Sequence, residues 1–80
     1  MQTKFQEHDE KNVFAKGVKC VRHTNKAILI EIEGEGGKKS EHWIPQSMVH
    51  ADSDVYKAGD CGKLVISKWI AKERGWWDDD

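Results

Sequence analysis

Alternation of apolar and polar positions is clearest in Ala27–Glu33 (AILIEIE). Ile28, Ile30 and Ile32 share one side, and Leu29, Glu31 and Glu33 share the other. Period two with β-branched residues predicts a strand with one fully buried side. Gly17–His23 (GVKCVRH) alternates too, with Val18, Cys20 and Arg22 opposite Lys19, Val21 and His23. Between the two runs, Thr24-Asn25-Lys26 is polar, and asparagine tolerates a left-handed turn. The pair is expected to form an antiparallel hairpin.

The rest of the chain reads in shorter pieces. Gly34–Ser40 is a glycine-rich loop, and Glu41–Ile44 (EHWI) is a third strand ended by Pro45, which lacks an amide donor. Gln46–His50 reads as a turn or single helical turn, and Ala51–Asp54 is polar. Val55-Tyr56 adds a short extended piece before the turn 57–62. Lys63–Ile66 is a fourth strand. Ser67 is a good N-cap for a helix over Lys68–Arg74, and Gly75 stops it. Met1–Asn12 shows no period and reads as a flexible arm. The domain is expected over 13–77, with an acidic tail at 78–80. The pattern predicts an α+β fold: a small curled antiparallel sheet or half-open β-barrel of three to five strands, with one short C-terminal helix. Its expected core is Val18, Cys20, Ile28, Ile30, Ile32, Trp43, Ile44, Leu64, Ile66, Trp69 and Ile70.

Eighty residues make one domain, and four are tryptophan. Trp43 and Trp69 are assigned to the core. Trp76 and Trp77 follow the helix stop, next to three aspartates, and the pattern leaves them open between core and surface. Net charge is −1, which argues against a general nucleic-acid coat. The balance hides a gradient: residues 1–26 are net basic and residues 27–62 net acidic. Two cysteines, Cys20 and Cys61, do not make a disulfide framework. The polar start predicts no secretory leader, and no apolar run approaches the roughly 20 residues that span a bilayer. A cytoplasmic protein with reduced thiols is the expectation.

Catalytic and metal chemistry find little support. His23, His42, His50, Cys20 and Cys61 are potential ligands, but Cys20 and His23 are three apart on a strand and point to opposite faces. No second pair completes a tetrahedral site. Gly34–Ser40 lacks the phosphate-loop spacing. Cys61 has no indicated base, and the acidic pairs Glu31/Glu33 and Asp52/Asp54 lie at solvated positions. The chain is therefore expected to be no enzyme and to carry no cofactor or metal. A protein-binding role suits an aromatic anchor beside a steering acidic tail, with Trp76, Trp77 and Tyr56 as contact residues. The alternative is single-stranded nucleic-acid binding, in which aromatics stack bases and Lys16, Lys19, Arg22, Lys26, Lys38 and Lys39 track phosphates. The chain is expected to be a monomer or a small homo-oligomer.

The segments AILIEIEGE, HWIPQS and GDCGKLVISKWIAKERGW, with an Asp-Ser-Asp-Val turn between the last two, carry a resemblance. Over Ala27–Trp76 the chain resembles a family of small, mostly uncharacterised bacteriophage and prophage proteins with a Trp-Ile-Pro-x-Ser motif, here Trp43 to Ser47. The resemblance implies a phage-associated accessory protein in a bacterial cytoplasm. It implies no catalytic residues, and it leaves residues 1–26 and Trp77–Asp80 outside.

Overall fold

A computed structural model describes residues 3–78. Five strands make one antiparallel sheet: β1 (Gln6–Glu7), β2 (Asn12–His23), β3 (Ala27–Glu33), β4 (Lys39–Pro45) and β5 (Cys61–Ser67). Helix α1 (Lys68–Glu73) follows β5 directly. The expected hairpin forms as β2 against β3, with Cys20 opposite Ile30. The glycine loop turns β3 into β4, from Glu33 opposite Lys39 to Ala27 opposite Pro45. Short 3-10 turns occupy Glu35–Gly37 and Gln46–Met48.

β2 is the centre of the sheet. One edge pairs with β5 from Asn12 to Lys19. The other edge is shared, with β1 beside Val13 and Phe14 and β3 beside residues 19–23. Its buried residues Val13, Ala15, Val18 and Cys20 break phase between 15 and 18. A bulge against β5 absorbs the extra residue at that point. Gly17 supplies the positive φ of 70° there, and a Cβ would meet nothing within 4 Å, so the backbone alone demands glycine. A second irregularity, between Cys20 and Arg22 against β3, turns Arg22 opposite Leu29. Arg22 therefore leaves the Cys20 face, on which strict alternation places it. Two bulges in one strand bend and twist the sheet.

The curled sheet does not close, because β4 and β5 share no ladder among the described residues. Helix α1 bridges that seam. The Ser67 hydroxyl caps it by accepting the Trp69 amide (3.1 Å). At its far end the Arg74 guanidinium donates to the Trp43 carbonyl on β4 (2.9 Å). The amides of Gly75 and Trp76 donate back to the Lys72 and Ala71 carbonyls, and Gly75 takes φ 78°. This pattern is a Schellman stop, which folds the next residue onto the last helical turn. The outer edge of β5 is covered by residues 49–54. His50 N–H donates to the Val65 carbonyl (2.8 Å) and Asp54 N–H to the Lys63 carbonyl (2.7 Å). The buried Ser53 hydroxyl both accepts the Val65 amide (2.8 Å) and donates to the Val65 carbonyl (3.0 Å).

Most of the expected core is buried, joined by Val13, Ala15, Val55 and Ala71. Two assignments are overturned: Trp43 is 44% exposed and Trp69 58% exposed. In β4, Ile44 points inward, so its neighbour Trp43 must point outward. In α1, Ile70 and Ala71 face the sheet, and Trp69 lies off that stripe. Trp76 and Trp77 instead pack half-buried against the core.

Residues 3–12, expected as a flexible arm, run along the sheet. Thr3 exchanges two bonds with Glu33: its amide donates to the Glu33 carbonyl (2.7 Å), and its hydroxyl accepts the Glu33 amide (3.0 Å). Phe5 stacks on Trp76 with ring centroids 5.2 Å apart, and Lys68 pairs with Glu7 at 2.9 Å. The turn into β2 is built by the Asp9 carboxylate, which accepts the amides of Lys11 and Asn12 and lies below the usual carboxylate pKa as a result. Asp79 and Asp80 of the expected acidic tail lie outside the described residues.

Candidate functional site

The face of the sheet turned away from the core carries a row with one exposed aromatic, Trp43. Pairing places Arg22 opposite Leu29 and Leu29 opposite Trp43. Leu29 is 8% exposed, while Arg22 is open to solvent. Directly opposite residues lie about 4.5–5.5 Å apart and on one face, so the three make a stripe across three strands. The next row is charged, with Lys19 opposite Glu31 and Glu31 opposite Glu41. Lys39 reaches Glu31 at 3.7 Å. A large indole thus stands in solvent, flanked by charges of both signs.

The contact residues expected from sequence fall elsewhere. Trp76 sits between Phe5 and His42, stacked on the first and edge-on to the second (5.0 Å). Burial, and then the Arg74 charge, push the His42 pKa below its ordinary value. Trp77 packs against the core with the Lys68 ammonium 5.8 Å from its ring centre. Much of both indoles is therefore used inside the fold. Tyr56 is 38% exposed and its hydroxyl donates to the His50 carbonyl (2.9 Å).

The basic candidates do not form a track. Lys16, Lys19, Arg22, Lys26, Lys38 and Lys39 are all exposed. Lys26 and Lys38 flank opposite ends of β3, about 20 Å apart at strand rise. Lys19 and Lys39 both face Glu31, whose charge opposes a phosphate chain.

Cys20 is buried and donates its thiol to the Arg22 carbonyl (3.0 Å). Burial, with the Asp60 charge second, pushes its pKa up. Cys61 is an exposed free thiol. His23 accepts the Ala58 amide (2.9 Å) and His42 bonds the Ser40 hydroxyl (2.8 Å). None of these residues converges with the others as a ligand set. Among the described residues the one group of three metal-binding side chains that does converge is His8, His50 and Asp52. Of these, only His50 was a ligand candidate by sequence. His8 belongs to the segment without a period, and no local spacing links it to residues 44 positions away. An open depression of about 260 Å³ lies between the N-terminal segment and the helix stop, lined by Thr3, Lys4, Phe5, Gly75 and Trp76.

No family model, curated protein or solved structure matches the chain. No helix among the described residues is long and apolar enough to cross a membrane.

Proposed function

We propose that the chain is a non-enzymatic binding module that docks a protein partner on the outer face of its sheet, with Trp43 as the anchor. The observation that carries this reading is the exposed indole over Leu29, in one row with Arg22. Tryptophan and arginine dominate binding hot spots when a partner desolvates them. The flanking row of Lys19, Glu31 and Glu41 suits a polar rim of mixed sign. The partner is therefore a protein that offers an apolar side chain to Trp43 and charged groups around it. The same mixed rim weighs against nucleic acid, which needs an unopposed basic path. A phage-associated role in a bacterial cytoplasm is part of the proposal. The resemblance over Ala27–Trp76 supports it, and two unpaired thiols suit a reducing compartment.

The test is affinity capture from bacterial lysate with the native chain, Trp43→Ala and Trp69→Ala, alongside titration with short single-stranded oligonucleotides. A protein retained by the native chain, lost with Trp43→Ala and recovered as a purified one-to-one complex supports the proposal. Equal retention by Trp43→Ala while the variant melts normally overturns it. So does oligonucleotide affinity that falls steeply with salt, which would make the face a nucleic-acid site.

A further inference from the structure

We infer that His8, His50 and Asp52 form a binding site for a divalent transition metal of the zinc class. This inference is independent of the Trp43 face. One ligand atom from each residue lies within 4.8 Å of the others. Zinc bonds to imidazole nitrogen and carboxylate oxygen of about 2.0–2.2 Å set tetrahedral neighbours roughly 3.3–3.5 Å apart. His8 Nε2 lies 3.1 Å from Asp52 Oδ2, and His50 Nδ1 lies 3.6 Å from the same oxygen. Both separations bracket the required value before any adjustment.

The His50 tautomer is compatible with coordination. His50 Nδ1 accepts the Asp52 amide at 3.0 Å, so the neutral ring carries its hydrogen on Nε2 and leaves Nδ1 unprotonated, 3.6 Å from Asp52 Oδ2. A metal on Nδ1 displaces one exposed amide, which water then satisfies. His8 rests edge-on against Phe14 (6.1 Å) and tilted against His50 (5.7 Å), contacts that bring the two imidazoles together. Two neutral imidazoles and one carboxylate give a borderline nitrogen-rich set, which suits zinc over calcium or magnesium. Asp52 is half-exposed, leaving room for water to complete the coordination shell.

The site would fasten two parts that are remote in sequence. His8 ends the β1 segment, and His50 and Asp52 lie on the crossover that covers the β5 edge. A metal bound only by the folded chain stabilises it by mass action. Zinc would thus lock the N-terminal segment against the crossover.

Calorimetric titration of ZnCl₂ into the metal-free full chain carrying Cys61→Ser, which removes the exposed thiol, tests the site. The expected result is one saturable equivalent, with a rise in melting temperature at saturating zinc. His8→Ala and Asp52→Asn should each weaken binding at least tenfold, while His23→Ala leaves it intact. Circular dichroism of each metal-free variant separates a lost ligand from a lost fold. Asp52→Asn, being isosteric, decides the matter if His8→Ala does not fold. Absence of saturable binding overturns the inference, as does equal affinity in the folded Asp52→Asn variant.

Discussion

Replacing Ser53 by alanine should be among the most damaging changes of a single oxygen atom in this protein. The hydroxyl accepts the Val65 amide and donates to the Val65 carbonyl, and Val65 is fully buried. The two losses are unequal. The Val65 carbonyl keeps the His50 amide as a donor (2.8 Å), so the bond lost there is worth about 0.5–1 kcal/mol. The Val65 amide has no second acceptor in the covering segment and is left orphaned, at about 1–3 kcal/mol. Together the change should cost about 1.5–4 kcal/mol. A chain of this length is stable by roughly 4–12 kcal/mol, and each kcal/mol moves the midpoint of so small a domain by roughly 4–8 °C. A drop in melting temperature of roughly 6–30 °C is expected, with an unchanged denaturant m-value. Ser47→Ala, at an exposed position, should stay within about 0.5 kcal/mol. A Ser53→Ala loss no larger than that of Ser47→Ala would refute the reasoning.

Further outcomes follow from the same geometry. Phe5→Ala and Trp76→Ala should each destabilise, and a double-mutant cycle should return a coupling of about 0.5–1.5 kcal/mol for the stacked rings; zero coupling would show that the stack contributes nothing. His42 titrates below its ordinary value because of burial and then the Arg74 charge. In the folded state it stays neutral where the unfolded chain already binds a proton. Its contribution is complete above the unfolded value near 6.5 and is lost as pH falls through the lowered folded value. Denaturation across that window should show less acid sensitivity in His42→Gln than in the native chain. With a thiol reagent under native conditions Cys61 should react promptly, while Cys20, buried with a raised pKa, reacts only on unfolding; equal rates would contradict the burial of Cys20.

The hairpin over β2 and β3 was legible because each core residue recurs at period two between turn formers. The helix was legible from its serine cap and glycine stop. For Trp43 and Trp69, size is a poor guide to burial. A large indole in a small chain suggests a core, yet the alternation of EHWI allows only one of Trp43 and Ile44 to face inward. Likewise Ala71, whose small side chain lets the helix approach the sheet, marks the buried stripe better than Trp69 does. The Schellman stop made the opposite point for Trp76, since the residue after the glycine is returned to the helix it leaves. The contacts of residues 3–12 had no periodic signal. Their pairing spans two residues of β1, and the strongest local clue is Asp9 three positions before Asn12, a turn former with no alternating run beside it. His8 could not be joined to His50 and Asp52 without that turn.

The divided edge of β2 also orders events in time. Its second half, beyond Gly17, meets β3 across the tight turn at 24–26. Its opposite edge waits for β5, with Asn12 finally opposite Ser67. Closing the longer loop costs about 2 kcal/mol more chain entropy than closing the hairpin, and distant pairings of this kind are the slow ones. The hairpin is thus expected to form early, and the β5 edge to be added later, together with the helix that follows β5. Gly17, which bends the strand in space, also separates the part that pairs with β1 from the part that pairs with β3.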